Sequence, residues 1–357
     1  MRILVDGYFN LNLGDDLFFH TLFDRCRDSE FLVLAPKCYK ACFGQEGNVR
    51  VIERNVFWRM EKKVLNAVGL EAVFPISSVC DATVIIGGSI FIEPNLPLRI
   101  TRKTCPLFII GTNYGPERTV QYRSKVAKFF SDAADVCVRD RKSYDVFKEA
   151  SNVRYAPDAI FSVDWLEWAK KYKTENKTFV SVIDLSEKRR PGLRKYKENY
   201  EAFIRDLTIS HLKERKQVVF ASFCRDEGDE DAIVRIIRSM PDQYASKVET
   251  LFYRGDCKKI LKEIATSNYI IGSRFHSIVL GLAMGKDVVP ISYSGKTDAM
   301  LKDLRKSSIR MDDLPLEKSI GSISLNEWEL RKVQIEAAGQ FRRLEEYLEG
   351  GKSEVEH

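Results

Sequence analysis

The sequence predicts an α/β protein of two similar units, each a parallel sheet with helices on both faces, with a ligand-binding cleft between them. Short apolar runs alternate with longer amphipathic stretches, which is the pattern of parallel strands joined by crossover helices. The alternation stops at the charged segment 170–177 and starts again after it. A chain of 357 residues is also long enough for two separate cores.

The first domain is predicted to span residues 1–170. Its strand candidates are short runs rich in Val, Ile, Leu and Phe, bounded by polar or turn-forming residues. They lie at residues 3–6, 31–35, 82–86, 107–110, 134–138 and 153–155. Apolar residues recur at helical spacing in 16–27 and 123–133, so helices are expected to connect the strands.

The second domain is predicted to span residues 178–325. Its strand candidates lie at residues 179–184, 217–222, 249–253, 269–272 and 288–292. Helical patterns cover residues 200–213, 229–239, 258–266 and 277–284. Residues 326–349 have the periodicity of a C-terminal helix. The polar tail 350–357 is expected to be disordered.

Composition favours a soluble, cytoplasmic protein. The net charge of +6, from 57 basic and 51 acidic residues, is too small a bias to indicate nucleic-acid binding. No apolar run reaches the roughly 18 residues of a membrane span, and a buried strand at the very start argues against a secretory signal. The eight cysteines form no CxxC pair, which predicts reduced, buried thiols and no metal site.

The most informative stretch is 273–285, which follows an apolar strand and runs into a helix of small apolar residues. Arg274 and His276 therefore stand at a strand-to-helix turn. Ligands of open α/β sheets bind at this end of a strand, and the N–H groups of the following helix favour an anion. A forked cation beside a proton carrier indicates chemistry on a phosphorylated or carboxylated substrate. The alternative is a surface arginine and a structural histidine.

Glycine-rich, polar segments follow three strands of the first domain. Glycines there would let a ligand approach the backbone closely. Plain turns, with Asp15 or Asp16 as a helix cap, are the alternative. None of these segments matches the GxGxxG fingerprint of dinucleotide sites. The candidate ligand contacts are Asn12, Asp15, Gly87, Gly88, Ser89 and Asn113.

Charged residues occupy two further strand ends. Arg139 follows the strand at 134–138, with Asp140 as its candidate partner. Tyr293 and Lys296 follow the last strand of the second domain and are expected to face the same cleft as Arg274. The alternatives are a solvated charge cluster and a surface turn.

Two other segments carry weaker patterns. The basic loop 188–195, KRRPGLRK, is a candidate contact for a phosphorylated lipid or an anionic membrane surface, although such loops are commonly just solvated. Residues 57–65 are a candidate interfacial helix, with a packed surface helix as the alternative.

Taken in order, these motifs resemble the polysaccharide pyruvyl transferase family. No single motif is specific, but the ordered set covers residues 3 to about 296. The matching pieces are GYFNLNLGDD, VIIGGSIF, IIGTNYGP, VCVRDRKS, APDAIF, SRFHSIVLGLAMG and SYSGK. The resemblance implies two facing Rossmann-like domains, similar to the GT-B glycosyltransferases. It also implies transfer of a pyruvyl unit from phosphoenolpyruvate to a sugar, closing a ketal across two hydroxyls.

The same resemblance implies roles for the candidate residues. His276 would be the general acid, and Arg274 and Arg139 would bind phosphoenolpyruvate. The further donor contacts would be Phe275, Ser277, Tyr293 and Lys296. The acceptor side would be lined by Asn12, Asp15, Gly87, Gly88, Ser89 and Asn113. No cofactor, metal or nucleic acid is expected. The partners would be phosphoenolpyruvate and a saccharide acceptor, either free or lipid-linked. A lipid-linked acceptor would bring the protein to the inner membrane face, with loop 188–195 as the contact.

Two other functions stay open on the sequence. One is a GT-B-type glycosyltransferase that uses a nucleotide-sugar, although an Arg-x-His pair suits a small, highly charged donor better. The other is a non-catalytic sugar- or anion-binding protein.

Overall fold

The computed structural model describes residues 1–53, 80–97, 105–314 and 321–355. The candidate helix at 57–65 lies outside these residues. The chain forms two compact units, neither of them continuous in sequence. Unit 1 contains Met1–Phe9, Leu17–Ala159 and Ile335–His357, and unit 2 contains Asn10–Asp16 and Ile160–Gln334.

Unit 1 is built on a parallel sheet whose described strands follow the order β3-β2-β1-β4-β5-β6-β7. The strands are β1 (Arg2–Gly7), β2 (Glu30–Ala35), β3 (Val49–Glu53), β4 (Ala82–Ile86), β5 (Leu107–Thr112), β6 (Asp135–Val138) and β7 (Val153–Tyr155). Strands β4 and β5 are buried along their whole length. A sheet covered on both faces requires such continuous apolar runs, and all six predicted strands are present. Strand β3 was missed because this half-exposed edge strand has no continuous apolar run.

Helix α1 (Leu13–Arg25) begins in unit 2 and is buried on most sides. Helices α2 (Tyr39–Cys42), α3 (Val120–Ser131) and α4 (Arg141–Phe147) bury only part of their surface. Helix α3 buries Tyr122, Val126 and Phe130, which lie four residues apart on one side. Thr119 caps this helix by accepting from the N–H of Tyr122 at 3.2 Å.

Unit 2 has a second parallel sheet, whose described strands follow the order β10-β9-β8-β11-β12-β13. The strands are β8 (Lys177–Ser181), β9 (Gln217–Ser222), β10 (Val248–Phe252), β11 (Tyr269–Gly272), β12 (Asp287–Ser292) and β13 (Ile309–Arg310). The helices are α5 (Trp165–Ala169), α6 (Lys197–Lys213), α7 (Asp229–Arg238), α8 (Asp242–Ala245), α9 (Cys257–Thr266), α10 (Phe275–Ala283) and α11 (Gly295–Asp303). The predicted α/β class, with two parallel sheets, is confirmed.

Helix α10 lies directly on the sheet of unit 2. A Cβ atom added at Gly281 would stand 2.8 Å from Val288 and 3.1 Å from Ile270. Only glycine allows the helix this close to β11 and β12. The approach positions the start of α10, and with it the turn that carries Arg274 and His276.

The C-terminal segment forms two helices, α12 (Glu327–Ala338) and α13 (Arg342–Val355), where one helix over 326–349 was predicted. Helix α13 includes part of the tail 350–357 for which disorder was predicted, and residues 356 and 357 lie outside the described residues.

A buried glutamine, Gln340, lies in the break between α12 and α13. Its amide donates to the carbonyl of Ala156 at 2.7 Å, and its Oε1 accepts from the N–H of Gly111 at 2.9 Å. Arg154 donates to the Gln340 carbonyl at 2.9 Å. These bonds satisfy buried backbone groups beside β5 and β7 and fasten the C-terminal segment to unit 1.

Five of the cysteines are buried, namely Cys26, Cys105, Cys137, Cys224 and Cys257. Burial raises the pKa of Cys137 to about 12, so this thiol is neutral at physiological pH. In the described ranges, no helix is both long enough and apolar enough to cross a membrane.

His211 gives the folded protein a specific pH dependence. Its Nδ1 lies 2.7 Å from the Thr178 hydroxyl, and burial, aided by Lys216, lowers its pKa from 6.5 to about 4. Between these two pH values His211 binds a proton in the unfolded chain but stays neutral in the folded chain. The contribution of His211 to stability is therefore complete above pH 6.5 and falls toward pH 4 by up to about 1.4 kcal/mol per pH unit. Urea unfolding between pH 6.5 and 5 checks it, because carboxylates such as Glu227, whose pKa is lowered in the folded protein, add their own slope at lower pH. In that range His211→Gln should lose most of the slope, and an unchanged slope would refute the assignment.

Candidate functional site

The first polar cluster lies in unit 2, at the carboxyl ends of β9, β8, β11 and β12, which are consecutive in the sheet. The loops that follow neighbouring parallel strands meet at one edge of the sheet, so residues far apart in sequence come together. The cluster contains Arg190 after β8, Glu227 and Asp229 after β9, Arg274 and His276 after β11, and Tyr293 and Lys296 after β12.

Arg274 is the centre of this cluster and is only 5 % exposed. Its Nε donates to Oδ2 of Asp229 at 2.9 Å and its Nη2 donates to Oδ1 of the same carboxylate. Its Nη1 donates to Oε2 of Glu227 at 2.5 Å. The alternative of a surface arginine is therefore excluded. The guanidinium is held in one orientation by a bidentate partner and shares its remaining edge with a second carboxylate.

The charged groups of the cluster shift one another's pKa values. Burial alone would lower the pKa of Arg274, but the charges of Asp229 and Glu227 raise it well above its usual value. Arg274, followed by Arg190 and Lys296, outweighs burial and lowers the pKa of Glu227 to about 2. Three cations, Arg190, Arg274 and Lys296, thus act on the Glu227 carboxylate. An anionic ligand would be favoured here.

The segment Asn10–Asp16 belongs to unit 2 and lies against this cluster. The N–H of Leu13 donates to the Phe223 carbonyl at 3.0 Å, and the Asn12 amide donates to Oε1 of Glu227 at 3.3 Å. A Cβ atom at Gly14 would lie 1.7 Å from Nδ1 of His276. The backbone at position 14 therefore lies against the imidazole at Nδ1, which only glycine permits.

His276 itself is 8 % exposed and stands at the start of α10. Its ring meets the Phe275 ring edge-on, with centroids 5.0 Å apart. The backbone at Gly14 and the Phe275 ring thus restrict where the imidazole can go.

We expect Gly14→Ala to displace the His276 ring, since its Cβ would occupy the same space. Overpacking of this kind costs about 1–3 kcal/mol of stability. Gly321→Ala is the matched control, because a Cβ there meets no atom within 4 Å. Urea unfolding and the NMR shifts of the imidazole measure the two effects. Equal stability and equal imidazole shifts in both variants would show that the contact is not present.

The other predicted donor contacts differ in how deeply they are buried. The Ser277 hydroxyl is fully buried, 2.5 Å from the Ser181 hydroxyl, and it donates to the Arg274 carbonyl at 2.7 Å. This hydroxyl lies below the turn that carries Arg274 and stabilises its backbone. The Lys296 ammonium stands 5.7 Å from the centre of the Phe275 ring. Contacts of these side chains with a donor stay predictions.

The pKa of Tyr293 reflects the positive charges of the cluster. The Arg190 guanidinium carbon lies 5.1 Å from the centre of its ring. Burial alone would raise the pKa of Tyr293, but Lys296, Arg190 and Arg274 together lower it. The phenol thus experiences the same three cations that would attract a ligand anion.

The two acidic residues after Gly14 differ in their surroundings. Asp15 is half-buried in the first turn of α1. Asp16 is buried and accepts from the Tyr253 hydroxyl at 2.6 Å. Asn12 and Asp15, predicted on the acceptor side of the first domain, are thus both part of unit 2.

The second polar cluster lies in unit 1, at the carboxyl ends of β4, β5, β6 and β7. Arg139 is its centre and is 4 % exposed. Its Nη1 donates to Oδ2 of Asp158 at 2.9 Å, and its Nη2 donates to Oδ1 of Asn113 at 2.6 Å. A Cβ atom at Gly88 would lie 2.5 Å from the guanidinium. Because Gly88 has no side chain, the Arg139 guanidinium can pack directly against the backbone at this position.

Two residues beside Gly88 complete this cluster. The Ser89 hydroxyl donates to Oδ1 of Asn113 at 3.3 Å, and Gly87 takes a φ of +144°, which favours glycine. The predicted residues Gly87, Gly88, Ser89, Asn113 and Arg139 are thus brought together within unit 1.

The predicted partner of Arg139 was wrong. Asp140 is the N-cap of α4, accepting from the N–H and the hydroxyl of Ser143 at 2.8 and 3.0 Å. A carboxylate one residue away along a strand points to the opposite face, whereas Asp158 comes from the loop after the neighbouring strand.

Sequence reasoning missed Glu227 and Asp229 as members of the unit 2 site. Both lie in the acidic run RDEGDED, directly after the strand at 217–222. That position was an available signal, because only β8 separates β9 from β11 and a carboxylate that follows β9 can reach the loop carrying Arg274. In the described residues, no group of three or more His, Cys, Asp or Glu side chains is arranged to hold a metal ion.

Two solved structures resemble the whole chain. The UDP-GlcNAc 2-epimerase of Methanocaldococcus jannaschii aligns with a TM-score of 0.55 and 9% identity, covering 94% of this chain and 99% of its own. Anabaena Alr3699/HepE in complex with UDP-glucose aligns with a TM-score of 0.50 and 12% identity, covering 99% of each chain. At such identities the likeness concerns the fold, and it confirms the predicted pair of Rossmann-like, GT-B-like domains.

A curated relative and a family model agree with the order of the sequence motifs. The amylovoran biosynthesis protein AmsJ of Erwinia amylovora is 22% identical over 249 residues, 63% of this chain. The chain matches 59% of that relative's length. The model of the family described as polysaccharide pyruvyl transferase matches residues 12–295, which include the Arg274–His276 turn and the Arg139 cluster. The chain therefore belongs to the polysaccharide pyruvyl transferase family.

Proposed function

We propose that this protein transfers the pyruvyl group of phosphoenolpyruvate to a sugar of a polysaccharide, or of its lipid-linked precursor, and forms a pyruvate ketal. The observation that carries the proposal is the cluster around Arg274 and His276. It places an ordered imidazole next to three cations at the ligand-binding edge of a sheet. Family membership supports the same reaction.

The donor suits this electrostatic environment. Phosphoenolpyruvate carries about −2.5 to −3 charges near neutral pH, from its phosphate and its carboxylate. Arg274, Lys296, Tyr293 and the N–H groups at the start of α10 are the proposed donor-side contacts in unit 2. Arg139 is the proposed further donor ligand from unit 1.

The reaction needs one proton donor and no change of oxidation state overall. His276 protonates the methylene carbon of the donor, and the adjacent carbon becomes cation-like. A sugar hydroxyl attacks that carbon and forms the first C–O bond. The bond to the phosphate oxygen breaks, a second hydroxyl closes the ketal, and inorganic phosphate leaves. Of the two hydroxyl protons released, one restores the imidazolium and the other leaves with phosphate.

The acceptor is proposed to meet the glycine-rich strand ends of unit 1. Ser89 and Asn113 offer a hydroxyl and an amide for sugar hydroxyls, and Gly87 and Gly88 expose backbone there. Asn12 and Asp15 are proposed as acceptor contacts on the unit 2 side.

An assay for phosphate release tests the proposal. The purified protein is incubated with phosphoenolpyruvate and a panel of free and lipid-linked saccharides, and the products are analysed by mass spectrometry. We expect a product heavier than the acceptor by one pyruvate minus one water, with one phosphate released per product. Incorporation of a sugar from a nucleotide-sugar into the same acceptors would instead identify a glycosyltransferase.

A lipid-linked acceptor would require contact with the inner membrane face, and loop 188–195 is the proposed contact. Lys188, Arg189, Arg194 and Lys195 are exposed, while Arg190 turns inward. Each exposed cation near an anionic surface contributes about 1 kcal/mol.

Neutralising the four exposed cations together, each to Gln, should therefore weaken binding to anionic vesicles by roughly a thousandfold. Co-sedimentation with phosphatidylglycerol vesicles measures this, with phosphatidylcholine vesicles as the control. Binding that is equal in wild type and variant would remove the loop from the membrane contact.

A further inference from the structure

The two carboxylates that hold Arg274 differ in their access to solvent. The Asp229 side chain is fully buried, whereas that of Glu227 is 30% exposed. Asp229 also accepts from the N–H groups of Phe223 and Cys224 at 2.9 and 3.0 Å. Asp229 is therefore a permanent part of the fold, and Glu227 covers the side of the arginine that a ligand could reach.

Glu227 is held by three donors from three separate segments. Its Oε2 accepts from Nη1 of Arg274 at 2.5 Å and from Nη2 of Arg190 at 2.6 Å. Its Oε1 accepts from the amide of Asn12 at 3.3 Å. We call Arg190 and Arg274 the carboxylate seat. Two guanidinium groups that donate to the same carboxylate oxygen suit any small carboxylate.

Arg190 is also oriented by groups other than the Glu227 side chain. Its Nη1 donates to the carbonyl of Asp184 at 2.7 Å and to the backbone carbonyl of Glu227 at 3.4 Å, and its guanidinium lies against the Tyr293 ring. Arg274 is likewise oriented by Asp229. Both cations would keep their places if the Glu227 side chain turned out into solvent, so the seat is preorganised for another carboxylate.

We propose that the carboxylate of the donor occupies this seat and that Glu227 is its internal occupant, displaced when the donor binds. The identity of the donor rests on the proposed function, but the seat itself does not. Exchange of one carboxylate for another leaves both arginines with a carboxylate partner before and after donor binding, which avoids the cost of leaving a buried charge alone.

Glu227 thereby sets the affinity and selectivity of the site. A ligand must bind better than an internal carboxylate that is already in place, so weakly held anions are excluded. The competition also predicts that shortening or neutralising Glu227 strengthens ligand binding, which is the reverse of what loss of an ordinary contact does.

The test measures dissociation constants by calorimetry at constant ionic strength, with pyruvate, inorganic phosphate and phosphoenolpyruvate as probes. Glu227→Gln removes the charge, and Glu227→Asp keeps the charge but is one methylene too short to reach both arginines. We expect both variants to bind pyruvate and phosphoenolpyruvate at least about tenfold more tightly, because a factor of ten is less than half of the stabilisation that lowers the pKa of Glu227 from 4.5 to about 2. Adding Arg190→Gln should abolish the gain.

Glu230→Gln is the matched control. Glu230 forms its own pair with Arg254 at 2.5 Å, outside the seat, and its loss should leave pyruvate binding unchanged. Tighter binding in Glu227→Gln but not in Glu227→Asp would indicate a general charge effect and overturn the proposal. A gain for phosphate without one for pyruvate would overturn it too, as would no gain at all.

These outcomes separate the seat from the proposed function, because pyruvate binding does not require pyruvyl transfer. If the Glu227 variants change the affinity for pyruvate but the protein does not turn over phosphoenolpyruvate, the carboxylate seat is supported and the proposed reaction is rejected. If the protein turns over phosphoenolpyruvate but the Glu227 variants do not change the affinity for pyruvate, the reaction is supported and the seat is rejected.

Discussion

His276→Asn is expected to lower kcat for pyruvyl transfer by about 10²–10⁴-fold, with little change in the Kd of phosphoenolpyruvate. The imidazole is the proposed proton donor to the methylene carbon, and asparagine cannot supply that proton. The anionic donor favours the imidazolium form, so binding itself prepares the acid. Donor affinity, in contrast, is assigned chiefly to the arginines, which the substitution leaves in place.

The control for this experiment is His20→Asn. His20 lies in unit 1, partly exposed, with its Nδ1 3.2 Å from Glu46, and it has no proposed role in the reaction. Its substitution should leave kcat within a factor of about two, as expected for a surface change. A His276 variant that loses donor affinity but keeps kcat would assign the histidine to binding and remove it from proton transfer.

Asp229→Ala is expected to destabilise the protein by about 3–5 kcal/mol. The substitution leaves Arg274 buried without its bidentate partner, and it also removes the acceptor for the N–H groups of Phe223 and Cys224. The cost is therefore that of an uncompensated buried charge together with two orphaned backbone donors. Equilibrium unfolding in urea measures it.

Glu230→Ala provides the comparison, because this residue also forms a carboxylate–arginine pair and is the next residue along α7. Its partner Arg254 is half-exposed, and such pairs contribute about 0–1 kcal/mol. Similar losses in the two variants would mean that Arg274 is not anchored by Asp229 as described.

The sheets were predictable because burial on both faces demands continuous apolar runs. The strands that deviate from this pattern are edge strands, such as Val49–Glu53 and Ile309–Arg310. There the sequence is mixed because one side of the strand is exposed, and the apolar signal disappears.

The centre of the unit 2 site was also predictable, but its surroundings were not. Arg274 and His276 stand at a turn that local sequence identifies. Glu227 approaches Arg274 from another strand, 47 residues away, and no local pattern encodes such pairing. The same holds for the segment Asn10–Asp16, whose contacts with Phe223 and Glu227 depend on tertiary packing.

Thermal unfolding with phosphoenolpyruvate, compared with a panel of nucleotide-sugars, tests the central claim most directly. A ligand at 100 times its Kd stabilises the folded state by about 2.7 kcal/mol. We expect phosphoenolpyruvate to raise Tm by the corresponding amount in wild type and by less in Arg190→Gln, with no effect of nucleotide-sugars. Stabilisation by a nucleotide-sugar alone would contradict the account.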